Sequence, residues 1–354
     1  MRFFPKLLAT YILEKEGICV KVITIDTGTT NTRVKLWNGD QVIASANIEV
    51  GVRNTAINGN NQLLKQGVKN AIQQTIAAAG VNEDAIQLLL ASGMITSNVG
   101  LYELAHLEAP VSIEKLAEGM ALRIIEEVSA KPIWFIPGIK NNQKTVHIDN
   151  CFKMDIMRGE ETETFGALEK LNIHGPCVMI LTGSHTKFIS IDEQNQVVGS
   201  VTTLAGELLS VLTKTTILAN SLNSAFAESD NPAMILKGAL SEREFGFNRG
   251  CFMVRLLDQF SETSRNDRAN FLLGLVYGND LTVLKKAIVG NALKADPSYP
   301  IIIGGIGVVR DTLKILLEQD DFFKGEILTL DEKDVSDLAG FGAIHIARTR
   351  GLIA

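Results

Sequence analysis

From Val22 onward, apolar and polar residues alternate in short runs broken by glycine-centred turns. Val22–Asp26 reads as a strand, Thr27 to Asn31 as a turn, Arg33–Trp37 as a second strand, Asn38-Gly39-Asp40 as a second turn, and a third strand starts at Val42. This two-residue period around tight turns predicts antiparallel hairpins. The period then lengthens. Leu63–Ala79, closed by Gly80, reads as a helix and is followed by the apolar run Ile86–Ala91; a second helical stretch, Ile113–Val128, leads to the apolar run Ile133–Ile136. A three-stranded meander followed by helix–strand alternation predicts a mixed sheet with helices on it.

The second half repeats the opening. Cys177–Leu181 is apolar, Thr182-Gly183-Ser184-His185-Thr186-Lys187 turns the chain, Phe188–Ile191 is a strand and Val197–Thr202 a third. The turn has the Thr-Gly-hydroxyl core of Thr27-Gly28-Thr29 and lies about 155 residues further on, which suggests two lobes of related fold. Beyond it the pattern is mostly helical from Leu204 to Leu293. A strand at Ile301–Ile303, a glycine turn, a helix, a strand near Ile327–Leu330 and a helix from Val335 complete the chain.

At 354 residues the chain exceeds what one hydrophobic core usually serves, so two domains are expected. The expected division is an N-terminal lobe at 21–150, a C-terminal lobe at 151–340, and a C-terminal helix at 341–354 that packs back toward the N-terminal lobe. Residues 1–20 form an extension. They carry Lys6, Glu14, Lys15 and Glu16 and lack a signal-peptide pattern, and Lys15-Glu16-Gly17 would be encoded by a purine-rich run that places a start of translation near Val20. With 46% hydrophobic and 21% charged residues the composition is that of a soluble globular protein. The net charge of -6, without a basic block, argues against nucleic acid as a partner, and no membrane partner is expected. Four dispersed cysteines, Cys19, Cys151, Cys177 and Cys251, suggest neither zinc nor disulfides, and the cytoplasm is the expected compartment. A homo-oligomer is left open.

Four segments carry candidate chemistry. In the first turn, Gly28 permits close approach of the backbone to an oxyanion, Thr29, Thr30 and Asn31 can donate hydrogen bonds, and Asp26 at the strand end can hold Mg²⁺ through water. A plain hairpin turn would read the same way. In the second turn Thr182, Gly183 and Ser184 offer a backbone cradle and Lys187 a point charge suited to phosphate; His185 reads more simply as a structural hydrogen-bonding residue. In Met157-Arg158-Gly159-Glu160-Glu161-Thr162-Glu163, a carboxylate at a strand-to-helix corner could take a proton from a hydroxyl, and Arg158 could grip a carboxylate. The same residues would also make an ordinary acidic helix N-terminus. Finally, Ile301–Ile303 runs into Gly304, Gly305 and Gly307, a turn suited to an adenine or ribose edge. Arg310 where a third glycine belongs counts against a dinucleotide fingerprint there, and Gln143 counts against a P-loop at 138–145, which reads as a polar loop between lobes.

The order of these parts resembles the sugar kinase branch of the actin-like ATPase superfamily, and more closely the 2-dehydro-3-deoxygalactonokinase family. The resemblance rests on Gly28 with Thr30, Asn31 and Arg33; Ser97-Asn98-Val99-Gly100; Ile136-Pro137-Gly138; the run 157–162; Gly183 with His185 and Lys187; and Gly206-Glu207. Thr27 stands where the family usually has Trp, Ser184 where Thr is common and Thr186 where Cys often stands. The resemblance implies two ribonuclease H-like lobes with a nucleotide and substrate cleft between them, and a role in carbohydrate metabolism, in D-galactonate breakdown. It implies ATP and Mg²⁺ as cofactors and a small sugar acid as substrate. Glu160 would be the catalytic base with Glu161 as runner-up, and Arg33, Ser97, Asn98 and Arg158 would meet the sugar acid. Two other functions share this fold: a nucleotide-dependent sensor, which needs no base at the corner, and a phosphatase, in which water replaces the sugar hydroxyl.

Overall fold

The computed structural model describes residues 20–354, so Cys19 and residues 1–19 of the expected extension lie outside the described residues. The chain divides into two compact units. One takes the described chain up to Lys140 together with Ile156–Ile173 and Asp337–Ala354; the other takes Asn141–Asp155 and His174–Ser336. The corner at 158–161 thus belongs with the N-terminal unit, whereas the sequence division placed it in the C-terminal lobe. Glycines explain the placement. The helices Glu160–Lys170 and Leu338–Thr349 approach so closely that a β-carbon on Gly166 would lie 2.4 Å from the Leu338 carbonyl oxygen, and one on Gly342 would lie 1.9 Å from that of Thr162.

The strands, in chain order, are β1 (Lys21–Thr27), β2 (Thr32–Asn38), β3 (Gln41–Ile48), β4 (Leu88–Gly93), β5 (Leu107–Glu108), β6 (Ala121–Ile125), β7 (Ser129–Phe135), β8 (Ile139–Lys140), β9 (Ile156–Met157), β10 (Cys177–Thr182), β11 (Thr186–Ile191), β12 (Val197–Thr203), β13 (Ile301–Gly304) and β14 (Ile327–Thr329). The first unit is built on a six-stranded sheet of order β3-β2-β1-β4-β7-β6. β1, β2 and β3 form the expected meander, and β4 and β7 add in parallel. Helix Gln62–Ala79 covers it, burying Leu64, Val68, Ala71, Ile72 and Thr75 on one face and ending at Gly80 in the left-handed region, φ 63°. The expected helix 113–128 is a correction: it ends at Glu118, and β6 pairs antiparallel with β7 instead. Gly119 stops the helix, and the sheet edge offers Leu122 to Ile125 backbone partners that a lone helical turn lacks.

The second unit repeats this plan, with a five-stranded sheet of order β12-β11-β10-β13-β14 in which β10, β11 and β12 form the meander and β13 and β14 run parallel to β10. Its core lies largely between this sheet and the helices, Tyr277, Leu281 and Leu284 of the long helix Arg265–Val289 being fully buried. The repeat extends past the strands. In each unit a glycine begins the helix after the third strand and lies against the carbonyls of the first hairpin turn. A β-carbon on Gly51 would meet the Thr29 oxygen at 2.5 Å, and one on Gly206 would meet the Gly183 oxygen at 2.0 Å.

Candidate active site

In the first unit the β1–β2 turn is closed by Gly28 N–H donating to Asn31 O (2.8 Å), and its outer carbonyls are capped from the next helix. Val52 N–H donates to Gly28 O (3.3 Å) and Arg53 N–H to Thr29 O (2.9 Å). Thr29 and Thr30 stand exposed, and Asn31 donates to the Thr30 hydroxyl (3.0 Å). Thr27 and Thr32, facing each other below the turn, are fully buried. Asp26 pairs with Arg33 at 3.3 Å, with 57% of the Arg33 side chain exposed. Burial pushes the Asp26 carboxyl up; Arg33 offsets part of this, and Glu160 adds to it.

The corner comes to the same strand ends. Gly159, at φ 111°, turns the chain from β9 into helix Glu160–Lys170, and a β-carbon on it would meet the Gly93 α-carbon at 3.3 Å. Gly93, at φ 84°, ends β4, and a β-carbon there would crowd both Thr27 O (2.6 Å) and Asp26 Oδ1 (3.0 Å). The helix start is fastened by its own side chains. Arg158 N–H donates to Glu160 Oε2 (2.9 Å), Gly159 N–H lies 2.9 and 2.8 Å from the two oxygens of Glu161, and the Thr162 hydroxyl donates to Gly159 O (2.6 Å). Glu161 is fully buried, and burial followed by the charge of Glu160 pushes its carboxyl up to about 8. Glu163 is also pushed up to about 8, by burial first and then by Asp26 and Glu160. Asp26, Glu160 and Glu163 therefore form one acidic group with Arg33 beside it. Sequence reasoning missed Glu163 and Gly93; the three-residue step from Glu160 to Glu163, which sets both on one helix face, was the available signal.

The remaining substrate candidates are more constrained. The Arg158 guanidinium donates to the Thr96 hydroxyl (2.7 Å) and to Leu104 O (2.6 Å) and lies 3.4 Å from His106 Nδ1, so it ties the corner to the loop after β4. Ser97 is buried and donates to Met94 O (2.7 Å), whereas Asn98 is exposed.

In the second unit Gly183 and Ser184 are exposed at the β10–β11 turn, and Glu207 N–H donates to Ser184 O (2.8 Å). His185 lies 3.4 Å from the Glu207 carboxylate. The glycine turn after β13 meets this hairpin: Thr182 donates to Gly304 O (3.3 Å), and a β-carbon on Gly305, at φ 127°, would fall 2.0 Å from the Thr182 hydroxyl. Gly307, at φ 60°, has open space around it. Lys187 is the residue expected to lend a point charge to phosphate. Its ammonium is buried against the Thr202 hydroxyl and 3.9 Å from Asp155, which also accepts from Ser200 (2.7 Å).

A family model for 2-keto-3-deoxy-galactonokinase matches residues 26–298, a span that begins at Asp26 and includes both hairpin turns and the corner. The chain belongs to this kinase family. It is 27% identical over 270 residues to the 2-dehydro-3-deoxygalactonokinase of Escherichia coli (strain K12), covering 75% of this chain and 80% of that one. Among solved structures it is similar to a Sinorhizobium meliloti protein proposed to be a 2-dehydro-3-deoxygalactonokinase (TM-score 0.68, 21% identity, 92% of this chain and 96% of that one). It is also similar to component A of the (R)-2-hydroxyglutaryl-CoA dehydratase of Acidaminococcus fermentans (TM-score 0.50, 12% identity, 94% and 99%). These likenesses give the galactonokinase-family chain the actin-like ATPase fold, in agreement with its two matching sheets. Among the described residues no helix is long and apolar enough to cross a membrane.

Proposed function

We propose that the protein transfers the γ-phosphoryl group of ATP to the terminal hydroxyl of 2-dehydro-3-deoxy-D-galactonate, giving 2-dehydro-3-deoxy-6-phosphogalactonate. The observation that carries this reading is the close approach of Gly159 to Gly93, which brings Glu160 to the strand ends that bear Asp26 and the first turn, in a chain of this kinase family. Phosphoryl transfer asks mainly for positioning and charge stabilisation. Glu160 is the base that accepts the hydroxyl proton. Glu161, buried and turned back on Gly159 N–H, braces the corner. The exposed turns at 28–31 and 182–184 offer N–H and hydroxyl donors to the phosphates, and the glycine turn at 304–307 offers a backbone surface to the nucleoside.

Asp26 fits Mg²⁺, a hard cation that keeps several waters and is held through one or two carboxylates plus substrate phosphates. Among the described residues no three His, Cys, Asp or Glu side chains form a metal cage, as such an ion does not need one. Bound there, Mg²⁺ would neutralise phosphate charge. Of the two arginines, the exposed Arg33 is the better carboxylate partner, with Asn98 meeting hydroxyls; Arg158 and Ser97 hold the loop. The test is ATP consumption with and without the sugar acid. Consumption that requires the acid supports the kinase; equal consumption without it indicates a phosphatase, and ATP binding without turnover a sensor.

A further inference from the structure

The long helix Arg265–Val289 carries Asp280, a carboxylate only 2% exposed and outside all the roles assigned above. It accepts a hydrogen bond from the Thr203 hydroxyl (3.0 Å), whereas the buried hydroxyl of Thr186, the strand partner of Thr203, has no hydrogen-bond partner among the described residues. These two threonines are register partners across β11 and β12, and Thr186 also faces Thr182 across β10 and β11. Thr182, Thr186 and Thr203 therefore form a row across the end of the sheet, at the residues where the Gly183–Ser184 turn closes. Gly305 lies against the Thr182 end of this row. On the neighbouring register pair, Lys187 and Thr202, a different carboxylate, Asp155, is engaged.

The equivalent place in the first unit is built without an acid. Thr32, which faces Thr27 as Thr186 faces Thr182, donates to a backbone carbonyl, Val50 O (2.8 Å). A neutral acceptor thus suffices to seat a threonine at the base of such a turn. A buried carboxylate is a costly replacement for a carbonyl, and it is met by a hydroxyl rather than a cation; burial pushes it up to about 6. What the carboxylate adds is an acceptor on the helix, which ties Thr203 at the strand end to the long helix.

We infer that Asp280 is a positioning residue for nucleotide binding, which fixes the Gly183–Ser184 turn by holding, from the helix side, the hydroxyl of Thr203, the strand partner of Thr186. This rests on the proposed use of that turn for ATP phosphates. The turn is fixed before the nucleotide arrives, so removing Asp280 weakens ATP and leaves the sugar acid untouched.

The experiment measures the Kd for ATP·Mg²⁺ by calorimetry without sugar acid, and KM for 2-dehydro-3-deoxy-D-galactonate, in the full chain and in Asp280→Ala, Asp280→Asn and Thr203→Val. The expected result is a rise of about tenfold in the ATP Kd of Asp280→Ala, a smaller rise in Thr203→Val, and recovery in Asp280→Asn, whose amide oxygen still accepts. The sugar-acid KM stays within about twofold throughout. If Asp280→Ala does not fold, Thr203→Val against Asp280→Asn carries the comparison. Unchanged ATP affinity in Asp280→Ala or Thr203→Val, or an equal rise for both substrates, overturns the inference while the kinase reading stands. Absence of ATP binding by the unaltered chain overturns both.

Discussion

Gly159 and Gly93 meet at the strand ends of the first unit, with room for a β-carbon on Gly159 only at 3.3 Å from the Gly93 α-carbon. The contact sets how far Glu160 stands from Asp26. Gly159→Ala introduces both crowding and a φ of 111° that side chains disfavour, a cost of about 1–3 kcal/mol that the corner can relieve by moving. The expected outcome is a fall in kcat of about tenfold or more with a modest loss of Tm. Steady-state kinetics beside a melting curve reads both, and an unchanged kcat would mean the corner tolerates displacement.

Glu160 and Glu161 each accept a backbone N–H of the corner, from Arg158 and Gly159, and they separate by burial, Glu161 being fully buried. Glu160→Gln should lower kcat by roughly 10²- to 10⁴-fold with ATP affinity nearly intact, the usual worth of a general base. Glu161→Gln leaves the base in place and disturbs the buried contact to Gly159 N–H, so it should act on stability and on kcat far less. If the larger kcat loss appeared in Glu161→Gln, the base would be Glu161.

Glu163 makes the fold sensitive to pH. Its carboxyl is pushed up to about 8 in the folded chain from an ordinary value of 4.5. Below about 4.5 both folded and unfolded forms carry the proton; between there and about 8 the folded form alone holds it, so stability falls as pH rises across that window. Glu161 acts in the same direction. Urea midpoints at pH 5 and pH 8 should therefore differ less in Glu163→Gln than in the unaltered chain. A difference of the same size in both proteins would show that Glu163 does not retain its proton on folding.

The meander, its repeat and the glycine turns were legible in the sequence because each is a local pattern: alternation, a Thr-Gly turn, an apolar run ending in glycines. Helix 113–128 was misread because Leu116, Met120, Ile124 and Val128 recur every four residues as on a helical stripe, whereas pairing with β7 makes 121–125 an edge strand. Lys187 was read as a point charge suited to phosphate and Arg158 as a grip for a carboxylate, but their protein partners, Asp155 and Thr202 for one and Thr96 and Leu104 for the other, come from distant segments that no spacing rule links. The same holds for the assignment of 156–173 to the first unit, which depends on glycine contacts with the last helix.

Specificity for an acid turns on which arginine meets the carboxylate. Arg158 has Thr96 and Leu104 on its terminal nitrogens, so a substrate carboxylate would have to displace protein acceptors to reach it. Arg33 is 57% exposed and holds Asp26 at 3.3 Å, a long single contact that can be exchanged for a planar bidentate pair. An ammonium cannot make the two parallel bonds, so Arg33→Lys should lower kcat/KM for 2-dehydro-3-deoxy-D-galactonate by about tenfold while leaving a neutral sugar of the same length nearly unchanged. Arg158→Lys should instead lower Tm and reduce both substrates alike, because it loosens the loop that carries Asn98. The measurement is the ratio of kcat/KM for acid and neutral analogue in the three proteins; a ratio that collapses in Arg158→Lys and survives in Arg33→Lys would return the carboxylate to Arg158.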